Sequence, residues 1–206
     1  MLIATESKLS RPVIYDGYSF NEQLEQAMDR FYNSFLRKEV KPTYNDRPIF
    51  FDMSRKLPGI LLPYSKSFLH IVSLDDADKY NVYPCNNDIS MENCTLNSCG
   101  DANLYYFQVL GRWECQYRLS RIHWIPEIFK LANNHDPCIY EWEEIEVGKS
   151  YGKYIKRLIR YHCGIDDYII VLQEREQDYY FITAYPVSSI SKKKHFDRQY
   201  QCYQKK

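Results

Sequence analysis

One histidine stands in an apolar segment where its imidazole is the only ionisable group. His70 lies within residues 67–74, a run too short for its periodicity to distinguish a helix from a strand. An unperturbed imidazole has a pKa of about 6.5, so it can act as a general acid or a general base near neutral pH. His70 is therefore the first candidate for proton transfer.

Two pairs of arginines are candidates for holding a phosphate, because a guanidinium group binds phosphate oxygens through two parallel hydrogen bonds. Arg118 and Arg121 precede an apolar run, and Arg157 and Arg160 lie in a strand-like stretch. Alternation along that stretch places Lys156 and Arg160 on one side and Arg157 on the other. The sequence leaves open which of the four arginines faces a cleft.

A tyrosine-rich stretch near the C-terminus offers two neighbouring hydroxyl groups. Period-2 alternation predicts that Tyr179, Phe181, Thr183 and Tyr185 share one face of a strand, with Thr183 and Tyr185 about 7 Å apart. Such hydroxyls can contact a phosphate or transfer a proton. The alternative is that they are hydrogen-bonding groups at the edge of the core.

The cysteines favour free thiols over a metal centre. Cys85, Cys94 and Cys99, with the more distant Cys115, could hold zinc, but no Cys-x-x-Cys hook is present. Cys163 and its neighbour His162 should point to opposite faces of a strand, which disfavours a thiol–imidazole pair. Seven cysteines and no secretory signal predict reduced thiols in a cytoplasmic protein, with no metal or other cofactor.

Charge is balanced overall but is distributed unevenly along the chain. The 27 Lys and Arg equal the 27 Asp and Glu, which excludes a generally basic nucleic-acid binder. Residues 149–206 nevertheless hold twelve Lys or Arg and six Asp or Glu, a local net charge of +6. The run Lys192, Lys193 and Lys194 is expected to contribute salt-dependent affinity for a phosphate-bearing partner. Twenty tyrosines could stack on bases or pack at interfaces.

The elements that must position these groups predict an α+β fold. Apolar spacing and a capping box at Ser19 and Glu22 predict an amphipathic helix over residues 19–38, and Pro126 suits the first turn of a second helix. Four strand-like stretches follow, separated by short turns, so neighbouring strands should pair antiparallel. The predicted strands are residues 138–147, 151–163, 167–172 and 178–187.

The predicted organisation has two parts. Residues 1–58 form an N-terminal helical extension, and residues 59–206 form the α+β domain, in which an Asn- and Cys-rich loop excursion occupies residues 84–103. The nucleotide-binding, zinc-protease and esterase motifs are all missing from the sequence.

The order of these parts resembles the barnase, EndoU and RelE-like superfamily of metal-independent RNases. Phe68-Leu69-His70-Ile71 resembles the Phe-x-His-Leu motif of the phage-associated branch, and residues 181–185 resemble the closing strand. Residues 60–200 carry the similarity, although Ser73 stands where relatives often place glycine. The resemblance implies a helix packed on a four-stranded antiparallel sheet.

The resemblance also implies a reaction and roles for the residues. RNA would be cleaved through its own 2′-hydroxyl to a cyclic phosphate, with no metal. His70 would be the general base or acid, and Thr183 would hold the phosphate. Tyr185 would donate a proton or stack on a base. Cationic stabilisation would come from Arg118, Arg121, Arg157 and Arg160. As a toxin or antiviral effector, the protein would have RNA as its substrate and a neutralising antitoxin or immunity protein as its partner, and no membrane would be involved.

Two other functions remain open at this point. A binding or adaptor module would keep the same sheet without its chemistry and dock a protein through tyrosines and the N-terminal helix. A zinc-stabilised nucleic-acid binder would depend on the cysteines of the 84–103 excursion. Metal analysis of the purified chain distinguishes the second of these from the other readings.

Overall fold

A computed structural model describes residues 6–14, 19–75, 104–148, 152–188 and 190–205. The chain forms two compact units. Unit 1 comprises residues 1–11, 34–51 and 124–206, and unit 2 comprises residues 12–33 and 52–123. The predicted boundary after residue 58 stays a prediction, and the loop predicted over residues 84–103 lies outside the described residues.

A six-stranded sheet dominates unit 1, and with the helices it confirms the α+β class. The strand order is β1-β2-β10-β9-β8-β7, and all neighbours pair antiparallel except β2 and β10, which are parallel. The sheet has two more strands than the predicted four because β1 and β2 join it from the N-terminal half of the chain. These strands are β1 (Thr43–Tyr44), β2 (Arg47–Phe50), β7 (Ile139–Gly148), β8 (Gly152–Cys163), β9 (Asp166–Glu174) and β10 (Tyr179–Pro186).

Two helices of unit 1 pack on opposite faces of this sheet. Helix α5 (Trp124–Asn133) carries Trp124, whose ring lies 5.8 Å from that of Tyr168 on β9. Helix α6 (Ile190–Gln204) carries Phe196, which packs with Ile169, the next residue of β9. Because successive residues of a strand point to opposite faces, the sheet lies between α5 and α6.

The sequence analysis did not predict α6 and treated its residues as a basic tail. Phe196 is the buried residue of this 15-residue helix, so its sequence carries only a weak apolar periodicity. The stretch Lys192 to Lys194 therefore lies in the first turns of a helix.

Unit 2 consists of short helices and two small hairpins. The predicted capping box is confirmed: the Ser19 hydroxyl accepts from Glu22 N, and the Glu22 carboxylate accepts from Ser19 N. The predicted helix is shorter than expected, because regular α-helix ends at Phe31 and residues 32–36 continue as a π-helix. The elements are α1 (Phe20–Phe31), β3 (Lys56–Leu57), β4 (Ile60–Leu61), α2 (Lys66–Ile71), β5 (Ser73–Asp75), α3 (Tyr105–Val109), β6 (Arg112–Glu114) and α4 (Gln116–Leu119).

A β-bulge in β10 corrects the prediction that four of its residues share one face. The pairing with β9 shifts between Phe181 and Thr183, so Ile182 is an extra residue. Tyr179 and Phe181 face the α5 side, where Phe181 contacts Phe35. Thr183 and Tyr185 face the α6 side, because they pair with Val171 and Ile169 of that face.

No helix among the described residues has both the length and the apolar composition required to cross a membrane.

The aromatic core of unit 1 should be its most sensitive packing site. Phe35 is fully buried, and its ring lies within 6.0 Å of the rings of Phe51, Phe129 and Phe181. Phe35→Ala should therefore lower the free energy of unfolding by about 3–5 kcal/mol in urea denaturation. The matched control is Phe50→Ala, because Phe50 is 43% exposed. An equal loss for both variants would contradict this packing.

Candidate functional site

The predicted catalytic histidine lies in the last turn of α2 in unit 2. Ser65 caps this helix by accepting from Phe68 N, and Phe68, Leu69 and Ile71 are buried. His70 is half-buried on the same short helix. The side chain is therefore anchored on a packed element and is not sealed from solvent.

Two arginines lie close to the end of α2, and one of them was not predicted as a site residue. Pairing of β5 with β6 sets Arg112 opposite Asp75, and the Arg112 guanidinium donates to the carbonyl oxygens of His70 (3.2 Å) and Ser73 (3.0 Å). Arg118 of α4 donates to the same Ser73 carbonyl at 2.7 Å. The structure thus brings together His70, the predicted Arg118 and the unpredicted Arg112.

These cations change what the His70 imidazole can do. Burial, together with the positive charges of Arg112 and Arg118, lowers the pKa of His70 to about 4. The expectation of an ordinary pKa is therefore wrong. At neutral pH the imidazole is uncharged, so it can accept a proton, whereas its remaining N–H is too weakly acidic to serve as a general acid.

The neighbouring predicted residue Arg121 is held by local contacts. Its guanidinium donates to the Tyr117 carbonyl and the Ser120 hydroxyl, and it lies 3.6 Å from the centroid of the Tyr117 ring. These contacts stabilise the turn after α4.

In unit 1 the predicted Arg160 forms a buried ion pair. Its guanidinium donates two hydrogen bonds to Asp167, at 2.8 and 2.7 Å, and one to Asp197 of α6 at 2.7 Å. The side chains of Arg160 and Asp167 are 3% and 0% exposed. Burial would raise the pKa of Asp167, but the hydrogen bonds and positive charge of Arg160 hold it below its ordinary value.

The remaining predicted cations of the sheet are also paired with carboxylates. Arg157 contacts Glu143 at 3.1 Å and Glu174 at 2.8 Å, and Lys156 contacts Glu146 at 3.0 Å. A phosphate at either position would have to compete with these carboxylates.

Side chains on the α6 face of the sheet include both predicted hydroxyls. The Thr183 oxygen is buried and has no hydrogen-bond partner among the described residues, and Tyr185 packs against the apolar cluster beneath α6. The Lys192 Nζ atom lies 5.6 Å from the centroid of the Tyr185 ring, and the Lys193 Nζ atom lies 3.8 Å from the Asp167 carboxylate. Lys194 lines a shallow cavity along α6.

The predicted zinc ligands Cys85, Cys94 and Cys99 lie outside the described residues, whereas Cys115 is buried and forms no disulfide with the described cysteines. Within the described ranges, no group of three His, Cys, Asp or Glu side chains could hold a metal ion. The zinc alternative therefore stays a hypothesis about residues 84–103.

Sequence reasoning missed Arg112 and the partnership of His162 with Asp167. Arg112 reaches His70 through pairing of two three-residue strands separated by more than thirty residues, for which the sequence gives no signal. His162 lies opposite Asp167 across a two-residue turn at Gly164 and Ile165. That register could have been derived from the turn length.

No protein-family model matches the chain, and no curated protein or solved structure shows significant similarity to it.

The buried ion pair should be a major contributor to stability. Asp167→Asn leaves the buried Arg160 with less compensation and should lower the free energy of unfolding by about 3–5 kcal/mol in urea denaturation. Asp166→Asn, at the adjacent and less buried position, should cost less than about 1 kcal/mol. Similar losses for the two variants would contradict the role of the pair.

The low pKa of His70 should make stability depend on pH. Between about pH 6.5 and pH 4 the unfolded chain binds a proton at His70 that the folded chain does not. The free energy of unfolding should therefore fall as pH is lowered through this window, by up to about 1.4 kcal/mol per unit from this group.

His70→Gln should remove this contribution and give a shallower slope in urea denaturations between pH 7 and pH 4. His195→Gln, at an exposed histidine of α6, should keep the slope of the wild-type protein. Identical slopes for His70→Gln and the wild type would refute the assignment.

Proposed function

We propose that the protein is a metal-independent endoribonuclease that cleaves RNA by attack of the 2′-hydroxyl on the adjacent phosphodiester. The observation that carries this proposal is the cluster of His70, Arg112 and Arg118 in unit 2. It combines a neutral proton acceptor with two permanent cations, which are the groups that this reaction requires for deprotonation of the 2′-hydroxyl and for stabilisation of the charge on the phosphorus centre.

The roles follow from the chemistry of the reaction. His70 accepts the proton of the 2′-hydroxyl as that oxygen forms its bond to phosphorus. The bond from phosphorus to the 5′ oxygen breaks, and this oxygen takes a proton from solvent water, which leaves a 2′,3′-cyclic phosphate. Protonated His70 then returns its proton to solvent. Arg112 and Arg118 stabilise the negative charge that accumulates on the non-bridging oxygens.

Substrate binding should strengthen His70 as a base. In the free protein the two guanidinium groups oppose protonation of the imidazole. A bound phosphodiester supplies negative charge between the same groups, so it offsets their field and raises the pKa of His70 towards its ordinary value. The proton acceptor is thus strengthened by the anion it acts on.

Several features support the proposed relationship to barnase, EndoU and RelE-like RNases. Strands β7 to β10 are consecutive and antiparallel, as in the four-stranded sheet of that family, and α5 packs against them. The proposed context is a cytoplasmic toxin or antiviral effector that a neutralising partner inhibits. Catalytic roles for the other predicted residues stay hypotheses for mutagenesis: Arg121, Arg157, Thr183 and Tyr185.

The proposal is tested by cleavage of a single-stranded RNA by the full chain. His70→Gln should lower kcat/KM at least about 100-fold, because a general base contributes that much, while His195→Gln should leave it unchanged. The low-pH limb of kcat/KM should lie near pH 4, where His70 becomes protonated. Mass spectrometry should detect the cyclic phosphate.

Two further measurements separate this mechanism from others. Chelator should leave the rate unchanged, and a 2′-deoxy substitution at the scissile nucleotide should abolish cleavage. Full activity in folded His70→Gln, or loss in chelator that a divalent ion restores, would refute the proposed chemistry.

An adaptor module is the second candidate, because one end of the β7–β8 hairpin exposes a set of aliphatic side chains. Ile145 and Val147 are 75% and 71% exposed, and Ile155, which pairs with Ile145, is 40% exposed. Such a patch suits a protein partner. RNA that stays intact with folded wild-type protein would favour this candidate over the nuclease.

A further inference from the structure

A cavity of about 350 Å³ opens beside α6 in unit 1 and has no part in the chemistry at His70. Side chains of β7, β8 and α6 line it: Tyr140, Arg160, His162, Asp197, Tyr200 and Gln201. Three are aromatic and three offer charged or amide groups. This composition is typical of a site that binds a flat, polar molecule.

The aromatic walls are set at steep angles to one another. The rings of Tyr140 and Tyr200 have centroids 5.0 Å apart and planes at 83°, and His162 meets Tyr140 at 6.1 Å and 62°. A planar ring entering this corner can stack on one wall while its edge meets another.

The polar groups provide both donors and acceptors. The Nδ1 atom of His162 lies 3.2 Å from the buried Asp167 carboxylate, and the imidazole adds a ring nitrogen to the cavity lining. Asp197 adds a carboxylate, whose Oδ1 also accepts from the buried Arg160, and Gln201 can both donate and accept. Recognition of a nucleobase edge requires this mixture of groups.

Cations adjoin the cavity along the same helix. A second hollow, of about 370 Å³, is lined by Lys194 and Arg198 and shares Asp197 and Gln201 with the first. An aromatic cavity beside two cations matches the alternation of base and phosphate along a nucleic-acid strand.

We propose that this cavity binds one unpaired base of a single-stranded RNA, with Lys194 and Arg198 contacting the flanking phosphates. Recognition of single-stranded RNA commonly uses bases that are splayed out and stacked on aromatic side chains. The choice of RNA rests on the proposed nuclease function, and the base site is a substrate-recognition site of that enzyme.

The experiment measures binding of 2′-O-methyl pentanucleotides of A, C, G and U to the full chain by fluorescence anisotropy. These probes cannot be cleaved by 2′-hydroxyl attack, so binding is measured apart from catalysis. Tyr200→Leu should weaken binding about tenfold or more, as expected for loss of one stacked base. Tyr140→Leu tests the opposing wall from a different element.

Tyr203→Leu is the matched control, because Tyr203 packs against the same apolar cluster as Tyr200 but does not line the cavity. Its affinity should stay at the wild-type value, and circular dichroism should show each variant folded. Replacing Lys194 and Arg198 with glutamine should reduce the salt dependence of binding.

The outcomes separate this site from the nuclease itself. Absence of binding by the wild-type protein at millimolar probe, or equal weakening by Tyr200→Leu and Tyr203→Leu, overturns the base site. Cleavage of natural RNA can still occur in that case. Binding that depends on Tyr200 without any cleavage supports the base site and overturns the nuclease.

Discussion

The ion pair between Arg160 and Asp167 is the constraint on which the α6 side of unit 1 depends. Both side chains are buried, so each charge depends for compensation on the partner within hydrogen-bond distance. The pair fixes two adjacent strands against each other and leaves one guanidinium nitrogen for Asp197 of α6. The same carboxylate lies 3.2 Å from Nδ1 of His162. One buried charge pair thereby links two strands of the sheet to a helix.

Helix α6 illustrates how this constraint replaces apolar packing. Phe196 is buried in this helix, and Tyr200 and Tyr203 are only partly buried. Apolar packing alone therefore constrains the angle of the helix on the sheet only weakly. The Asp197 contact with Arg160 supplies a directional anchor in the middle of the helix. Because the cavity walls come from both the helix and the sheet, their mutual arrangement follows from that anchor.

Local rules in the sequence were sufficient for much of the fold. The capping box at Ser19, the helix around Pro126 and the four C-terminal strands depend on neighbouring residues, and all of them are present. The parts of the fold that were predicted wrongly or missed depend on contacts between distant residues or on weak sequence signals. The bulge at Ile182 reverses the faces of β10 without any glycine to signal it, and the weakly amphipathic α6 has no clear apolar stripe. The cluster around His70 required a pairing between β5 and β6 that no sequence pattern specifies.

The two histidines of interest lie in different surroundings, and this difference argues for different ligands. At His70 the positive charges of Arg112 and Arg118 would attract a phosphodiester, whose charge would make the imidazole more basic. His162 lies 3.2 Å from the Asp167 carboxylate, whose charge is paired with Arg160, and it shares a cavity with two tyrosine rings. The proposed phosphate site at His70 is therefore distinguished by its cations, and the proposed base site beside His162 is distinguished by its aromatic walls.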